Sequence, residues 1–395
     1  MVVIVSAFIA LSVLFIVLSV RADRKIRALP LKTQSNYPLV SVIIPTFKTG
    51  KGLEKTLSSI KLSNYPKKEV VVVNDGFDQH IKSVCKKFGA KLIQNKTRLG
   101  KGFSINKGVK HSTGDHLVFL DSDTLLGKNT LTTLFNSYMT YQDSGDKIGM
   151  ISPSYNARNK KNIFSRFVDL EQSIHQNIIK IQMNFKSILS IRGCCLFTTK
   201  NVFNKTGGFS KTLIEDGDFA ARVLNAGYNI KYEPRASVKT SEPESFSSLL
   251  KSKRRYGKGT FYCLLKNKKP FIASPQAAIC FYPTIILVMA FIGLYLFQNF
   301  VYTVPLLLFL TTISINGSFS FLYTAIAIVI ITAVGSMLNG VFSYQAAGTG
   351  LSTSLTSLAI FSVLFIPVMY AYSRGAISGM IDKIKNKPEL VFDDW

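Results

Sequence analysis

Between Pro270 and Ser373 the chain runs for 104 residues without one Asp, Glu, Lys, Arg or His. A water-facing domain of that length needs charged groups on its surface, whereas a helix crossing hydrocarbon needs about 20 apolar residues and no charge. The stretch reads as four spans at 276–297, 300–316, 319–338 and 355–373, with a neutral Gly/Ser/Thr-rich connection at 340–354. No ionisable residue lies inside the spans, which excludes an ion or proton pathway built on buried charges.

The first 20 residues are also uncharged and almost wholly apolar, and Arg21, Arg24, Lys25 and Arg27 follow at once. A cleaved signal carries its basic residues in front of the apolar run, so this order favours a retained anchor helix. The formal net charge of +26 falls entirely between residues 21 and 269, where 44 Lys and Arg stand against 18 Asp and Glu. Under the positive-inside rule that excess places the segment in the cytoplasm, at the plasma membrane. A basic region bracketed by membrane segments has anionic headgroups and anionic nucleotides as its partners and no nucleic acid. The expected organisation is therefore an anchor at 1–21, a cytoplasmic domain at 22–240, a basic interfacial segment at 241–270, a four-helix membrane region at 271–374 and a cytoplasmic tail at 375–395. The five cysteines show neither metal-ligand spacing nor a disulfide framework.

Within the charged region, short apolar runs alternate with helical patterns. Strands are expected at 37–45, 69–74, 91–94 and 116–120, and helices at 50–62, 81–88 and 103–110. Alternation of this kind implies right-handed crossovers and an α/β domain with a mostly parallel sheet. An amphipathic helix is expected within 156–186, packed on the domain or lying at an interface. Residues 251–269 hold eight cations among Phe261, Tyr262, Leu264 and Leu265, as in a segment lying on a bilayer surface.

Three acidic signals stand in order along this pattern: Asp75 in VVVVNDG, Asp121 and Asp123 in HLVFLDSDT, and Glu215 with Asp216 in LIEDGDFAAR. The first two sit at carboxyl ends of strands, where ligands of such sheets bind. Carboxylates so placed can hold a metal-bound nucleoside diphosphate and deprotonate an incoming hydroxyl. The alternatives stay open: Asp75 as a turn residue before Gly76, and Glu215 and Asp218 as acidic residues favoured by a helix N-terminus.

Taken together, SVIIPTFKTGKGLEKTLSSI, VVVVNDG, LGKGFSINKG, LDSDT, RGCCLFTTKNVFNKTGGF and LIEDGDFAARVLNAGY resemble the membrane-integrated glycosyltransferases of family 2, with the GT-A nucleotide-sugar fold. The likeness runs from Pro38 to Gly259 and extends to polysaccharide synthases and ceramide glucosyltransferase-like enzymes. It implies an inverting transfer from a nucleotide sugar, UDP-linked, to a hydroxyl of a membrane lipid or lipid-linked glycan, using Mg2+ or Mn2+. It also implies that Pro45 and Thr46 frame the base, that Asp75 contacts uracil or ribose, and that Lys101 and Asn106 line the donor pocket. Asp121 would orient the ribose or sugar and share the metal with Asp123. Asp216 would be the general base, with Glu215 at the acceptor. Ser252-Lys253-Arg254-Arg255-Tyr256 stands where processive synthases carry Gln-X-X-Arg-Trp. Arg255 matches and would meet the diphosphate, while Tyr256 in place of Trp would stack on an acceptor sugar. A polymer-exporting synthase is thus one alternative, and a non-catalytic nucleotide-binding scaffold is another.

Overall fold

The computed structural model describes residues 17–47, 50–76, 78–160, 162–189, 191–267 and 351–387, together with residues 14 and 270. In chain order the elements are β1 (Val40–Thr46), α1 (Gly50–Lys61), β2 (Lys68–Asn74), α2 (His80–Phe88), β3 (Lys91–Gln94), α3 (Lys101–Lys110) and β4 (His116–Leu120). There follow β5 (Leu125–Leu126), α4 (Thr130–Asp143), β6 (Ile148–Ala157), α5 (Ile163–Gln182), β7 (Cys195–Thr199), α6 (Lys200–Lys205), α7 (Glu215–Asn225), β8 (Asn229–Thr240), α8 (Phe246–Lys266) and α9 (Leu351–Ile384).

One eight-stranded sheet carries them, in the order β3-β2-β1-β4-β7-β6-β8-β5. Only β7 and β5 run against the rest, so the sheet is mostly parallel as the alternation implies. The reason these runs become strands is visible in where alternate residues go. Val40, Val42 and Ile44 of β1, Val72 of β2, and Val118 and Leu120 of β4 enter one core with Leu53, Leu57 and Ile60 of α1. Ile43, Val71 and Val73, Leu117 and Phe119 enter a second core with Ile105 and Val109 of α3 and Phe219, Ala220 and Val223 of α7. Side chains of period two feed helices on both faces, giving three layers. The parallel register pairs Val42 with Val70 on one side and Val118 on the other, which brings Asp75 and Asp121 to the same edge of the sheet.

The helix expected within 156–186 is α5, and its first expected residues belong instead to β6. Phe167, Val168 and Leu170 of α5, Leu249 of α8, and Leu364 and Val368 of α9 form a third apolar cluster. The basic segment is α8, opened by a capping box at Ser245 and Ser248. Its cations do not share one exposed face: Lys253 turns inward to Glu171, and Lys258 pairs with Asp382 of α9 at 3.0 Å. Residues 17–28 are helical, and Asp23 there pairs with Lys180 of α5 at 3.1 Å.

Three of the four expected spans lie outside the described residues, as does most of the N-terminal anchor; the fourth, 355–373, falls on α9. Among the described residues no helix is long and apolar enough to cross a membrane.

Helices α8 and α9 meet backbone to backbone. A Cβ at Gly257 would stand 1.9 Å from the Tyr372 carbonyl oxygen, and one at Gly375 would stand 2.0 Å from that of Arg254. Glycine is needed at both positions because any side chain would have to push the helices apart. Gly375→Ala should therefore lower the thermal midpoint of the full chain, by an amount corresponding to about 1–3 kcal/mol of overpacking. An unaltered midpoint in a thermal melt would disprove this crossing.

Candidate active site

A cleft of about 450 Å³ opens at the carboxyl edge of the sheet, lined among others by Pro45, Thr46, Asp75, Lys101, Asp121, Asp123, Glu215, Asp216, Arg255 and Tyr256. Ten of the eleven residues singled out in sequence are therefore brought together. The exception is Asn106, expected in the donor pocket. Its amide donates to the Phe209 carbonyl at 2.7 Å and accepts from the Phe209 N–H at 2.8 Å, outside the cleft. An Asn on α3 can satisfy both backbone groups of a facing turn at once, and here it does so.

Asp75 follows β2 and is 5% exposed. Its Oδ1 accepts from Asn95 Nδ2 and the Leu99 N–H, and its Oδ2 from the Gly100 N–H, all at 2.7 Å. The carboxylate thus fastens the loop leading into α3, in which Gly100 takes φ +87°. It also borders the cleft beside Thr46, whose Oγ1 is buried with no partner among the described residues. An orphaned buried hydroxyl at a cleft wall is a place for a ligand's polar atom.

Lys101, the first residue of α3, ties the centre of the cleft together. Its Nζ lies 2.7 Å from Asp121 and 3.1 Å from Glu215. Burial opposes its charge, but Asp121, Glu215 and Asp216 outweigh burial and hold it protonated well above the ordinary lysine range. Glu215, expected at the acceptor, thus spends its carboxylate on Lys101. Lys101 is an ion-paired cation and not a solvated loop lysine.

Asp123 stands differently. Arg158 donates to its backbone carbonyl at 3.2 Å, and among the described residues no donor reaches its carboxylate. Burial, then the charge of Asp121, pushes that carboxyl up to about 6, with Lys101 and Arg158 pulling the other way. A carboxylate with bare oxygens beside a second carboxylate fits a hard divalent cation.

Asp216 lies in the first turn of α7, and its Oδ1 accepts from the Gly217 N–H at 2.8 Å. Burial first, then Glu215, raises its carboxyl above the usual carboxylate range. It sits directly over Gly193: a Cβ there would stand 2.4 Å from Asp216 Oδ2. Asp218 turns away, accepting from Arg222 Nε at 2.9 Å and Asn267 Nδ2 at 3.1 Å.

Sequence reasoning did not single out four further residues of the cleft. The Arg98 guanidinium lies 4.2 Å from the Phe47 ring centroid, and Arg192 Nη2 donates to Glu242 Oε1 at 2.6 Å. Arg192 lies in the quoted RGCC segment, but nothing in a linear sequence selects Glu242, 50 residues on, as its partner.

Removing the cation at the centre leaves two carboxylates facing each other. Lys101→Met should cost about 3 kcal/mol, the low end for a broken buried pair because Asp121 remains 29% exposed. Urea unfolding of the full chain in detergent measures it, and a Glu215→Gln second change should recover part of the loss.

Known proteins resemble the chain in sequence and in fold. Residues 41–207 match the family model described as glycosyl transferase family 2. The poly-beta-1,6-N-acetyl-D-glucosamine synthase of Staphylococcus epidermidis is 24% identical over 246 residues, which cover 61% of this chain and 59% of that protein. "Probable glycosyltransferase YdaM" of Bacillus subtilis is 27% identical over 256 residues, covering 62% and 60%. The matched stretch thus spans less than two thirds of each relative's own length. Among solved structures, the mannosyltransferase PcManGT from Pyrobaculum calidifontis, in complex with GDP-Man and Mn2+, covers 98% of this chain and 99% of its own. Its TM-score is 0.51 at 17% identity, which shows a shared fold. The chain is thus similar over residues 41–207 to glycosyl transferase family 2, and its α/β architecture is a GT-A-like fold shared with that mannosyltransferase.

Proposed function

We propose that the chain moves a sugar, with inversion, from a UDP-sugar to a hydroxyl of a lipid or lipid-linked glycan at the cytoplasmic face of a membrane. The observation carrying this reading is the seat of Asp216: a carboxylate held against the Gly193 backbone, in one cleft with Asp75 and Asp123. The uncharged stretch from Pro270 to Ser373 and the basic flank before it support the membrane placement.

In this reading the acceptor oxygen attacks the anomeric carbon, and the bond from that carbon to the diphosphate oxygen breaks. The electron pair leaves with the nucleoside diphosphate, and the acceptor proton passes to the Asp216 carboxylate. Asp216 suits that role because burial and Glu215 raise its proton affinity while the Gly217 N–H keeps it oriented. Thr46 and Asp75 bound the nucleoside end, and Arg255 reaches the cleft from α8 to meet the diphosphate. Asp123, with Asp121 beside it, would hold Mg2+ or Mn2+, which neutralises charge on the leaving diphosphate when bound. The bound GDP-Man and Mn2+ of PcManGT support a nucleotide sugar and a divalent cation here.

A second reading is a processive polysaccharide synthase. The 24% identity to an enzyme named for making poly-beta-1,6-N-acetyl-D-glucosamine favours it, while Ser252 and Tyr256 depart from the processive pattern. Incubation with radiolabelled nucleotide sugars and Mn2+ decides between them: label in organic solvent supports the first, and label in high-mass material supports the second. No label with any donor rejects both.

Asp216→Asn should retain nucleotide binding and lose transfer by roughly 10²–10⁴-fold; transfer at the wild-type rate would remove it as the base. Because its carboxyl is raised, wild-type transfer should fall on acidification at a higher pH than an ordinary carboxylate near 4 would give. Gly193→Ala should reduce transfer about 10²-fold by displacing that carboxylate, read as kcat at saturating donor.

A further inference from the structure

One wall of the cleft carries a carboxylate that donor and base chemistry leave unused. Glu242 stands two residues after the end of β8, and its side chain is 2% exposed although it lines the cleft. Arg192 Nη2 and Gln172 Nε2 both donate to its Oε1 at 2.6 Å. Its backbone is held as well, its N–H donating to Asn159 Oδ1 at 2.8 Å and its carbonyl accepting from Asn159 Nδ2 at 2.9 Å. Three side chains thus fix this residue, yet among the described residues no donor reaches Oε2. Oε2 therefore presents an acceptor to whatever occupies the cleft, on a carboxylate already fixed in place.

The place of Glu242 says which ligand. It lines the same cleft as Asp123 and Tyr256, and its charge helps to raise the Asp123 carboxyl. Glu242 thus shares one cleft with the carboxylate assigned to the metal and the aromatic ring offered to the acceptor. The Tyr256 ring is 37% exposed and has the Arg255 guanidinium 5.0 Å from its centroid. An acceptor must give its reacting hydroxyl to Asp216. To satisfy Glu242 as well it needs a second hydroxyl, and to cover Tyr256 it needs an apolar ring face. A monohydric lipid alcohol has neither the second hydroxyl for Oε2 nor a ring face for Tyr256.

Resting on the transferase reading above, we infer that Glu242 Oε2 accepts a hydrogen bond from a second hydroxyl of the acceptor, and that the acceptor is a saccharide unit. Arg192, Gln172 and Asn159 are the positioning residues that aim it.

The test uses the full chain in lipid nanodiscs with whichever nucleotide sugar supports transfer. Acceptors are hexose and N-acetylhexosamine disaccharides, their monodeoxy derivatives, and dodecanol. For the wild type, one monodeoxy acceptor should show a KM raised about ten-fold, the size of one hydrogen bond to a charged group. In Glu242→Gln the same deletion should alter KM less than about two-fold, because the partner is already changed. Nucleotide binding by calorimetry confirms that the variant is folded; should it fail, Gln172→Ala, which loosens the same carboxylate, is carried through the same comparison. Deoxy penalties that persist undiminished in the variant overturn the inference, as does transfer to dodecanol with every saccharide inert. A wild-type chain that binds nucleotide but transfers to no acceptor rejects the transferase reading itself, and this inference with it.

Discussion

The cleft depends on one ammonium. Lys101 opens α3, Asp121 follows β4 and Glu215 opens α7, so three separate elements converge on a single ion pair set. Without the cation the two carboxylates would repel across a poorly hydrated gap, and the first turn of α7 could not approach the sheet. Asp216 follows Glu215 immediately, so its approach to the Gly193 backbone depends on this pairing. The charge that closes the centre of the cleft therefore also seats Asp216, the residue proposed above as the base.

The first half of the fold was legible in the sequence because its strands are unbroken apolar runs bounded by breakers. The strand expected at 69–74 is found at Lys68–Asn74, and those at 91–94 and 116–120 fall where they were expected. The second half offers no such signal. β8 contains Lys231, Glu233, Pro234 and Arg235, and three of these are charged groups that enter a sheet only because each finds a partner: Asp146 for Lys231, and Arg235 for Glu233. β6 carries Pro153, next to a register shift against β8. Periodicity cannot announce a strand whose charges enter the sheet only as ion pairs, one within the strand and one with a residue distant in the chain.

The same distinction runs through the site. Asp75, Asp121 and Asp123 could be read because a strand ending in a carboxylate has a fixed meaning at the edge of a parallel sheet. Asn106 could not, because an amide serves a ligand or a backbone turn equally well and only the position of Phe209 decides. Glu215 was legible as an acidic residue of the site, but its engagement with Lys101 is a property of three-dimensional proximity. Arg192 and Glu242 belong to this class too, since sheet order carries β7 and β8 to the two sides of β6.

The contact of α9 with α8 bears on how the molecule is made. α8 supplies Lys253, Arg255 and Tyr256 to the cleft, and it rests on a helix that begins only at Leu351. Chains emerge from the ribosome N-terminus first and fold as they emerge. The carboxylates near the sheet edge are thus complete early in synthesis, while the wall bearing Arg255 and Tyr256 waits for residues near the other end of the chain. Translation order becomes a timer: the half of the cleft formed by the sheet exists before its counterpart is braced, so a nascent chain passes through a stage with carboxylates in place and the facing wall unbraced.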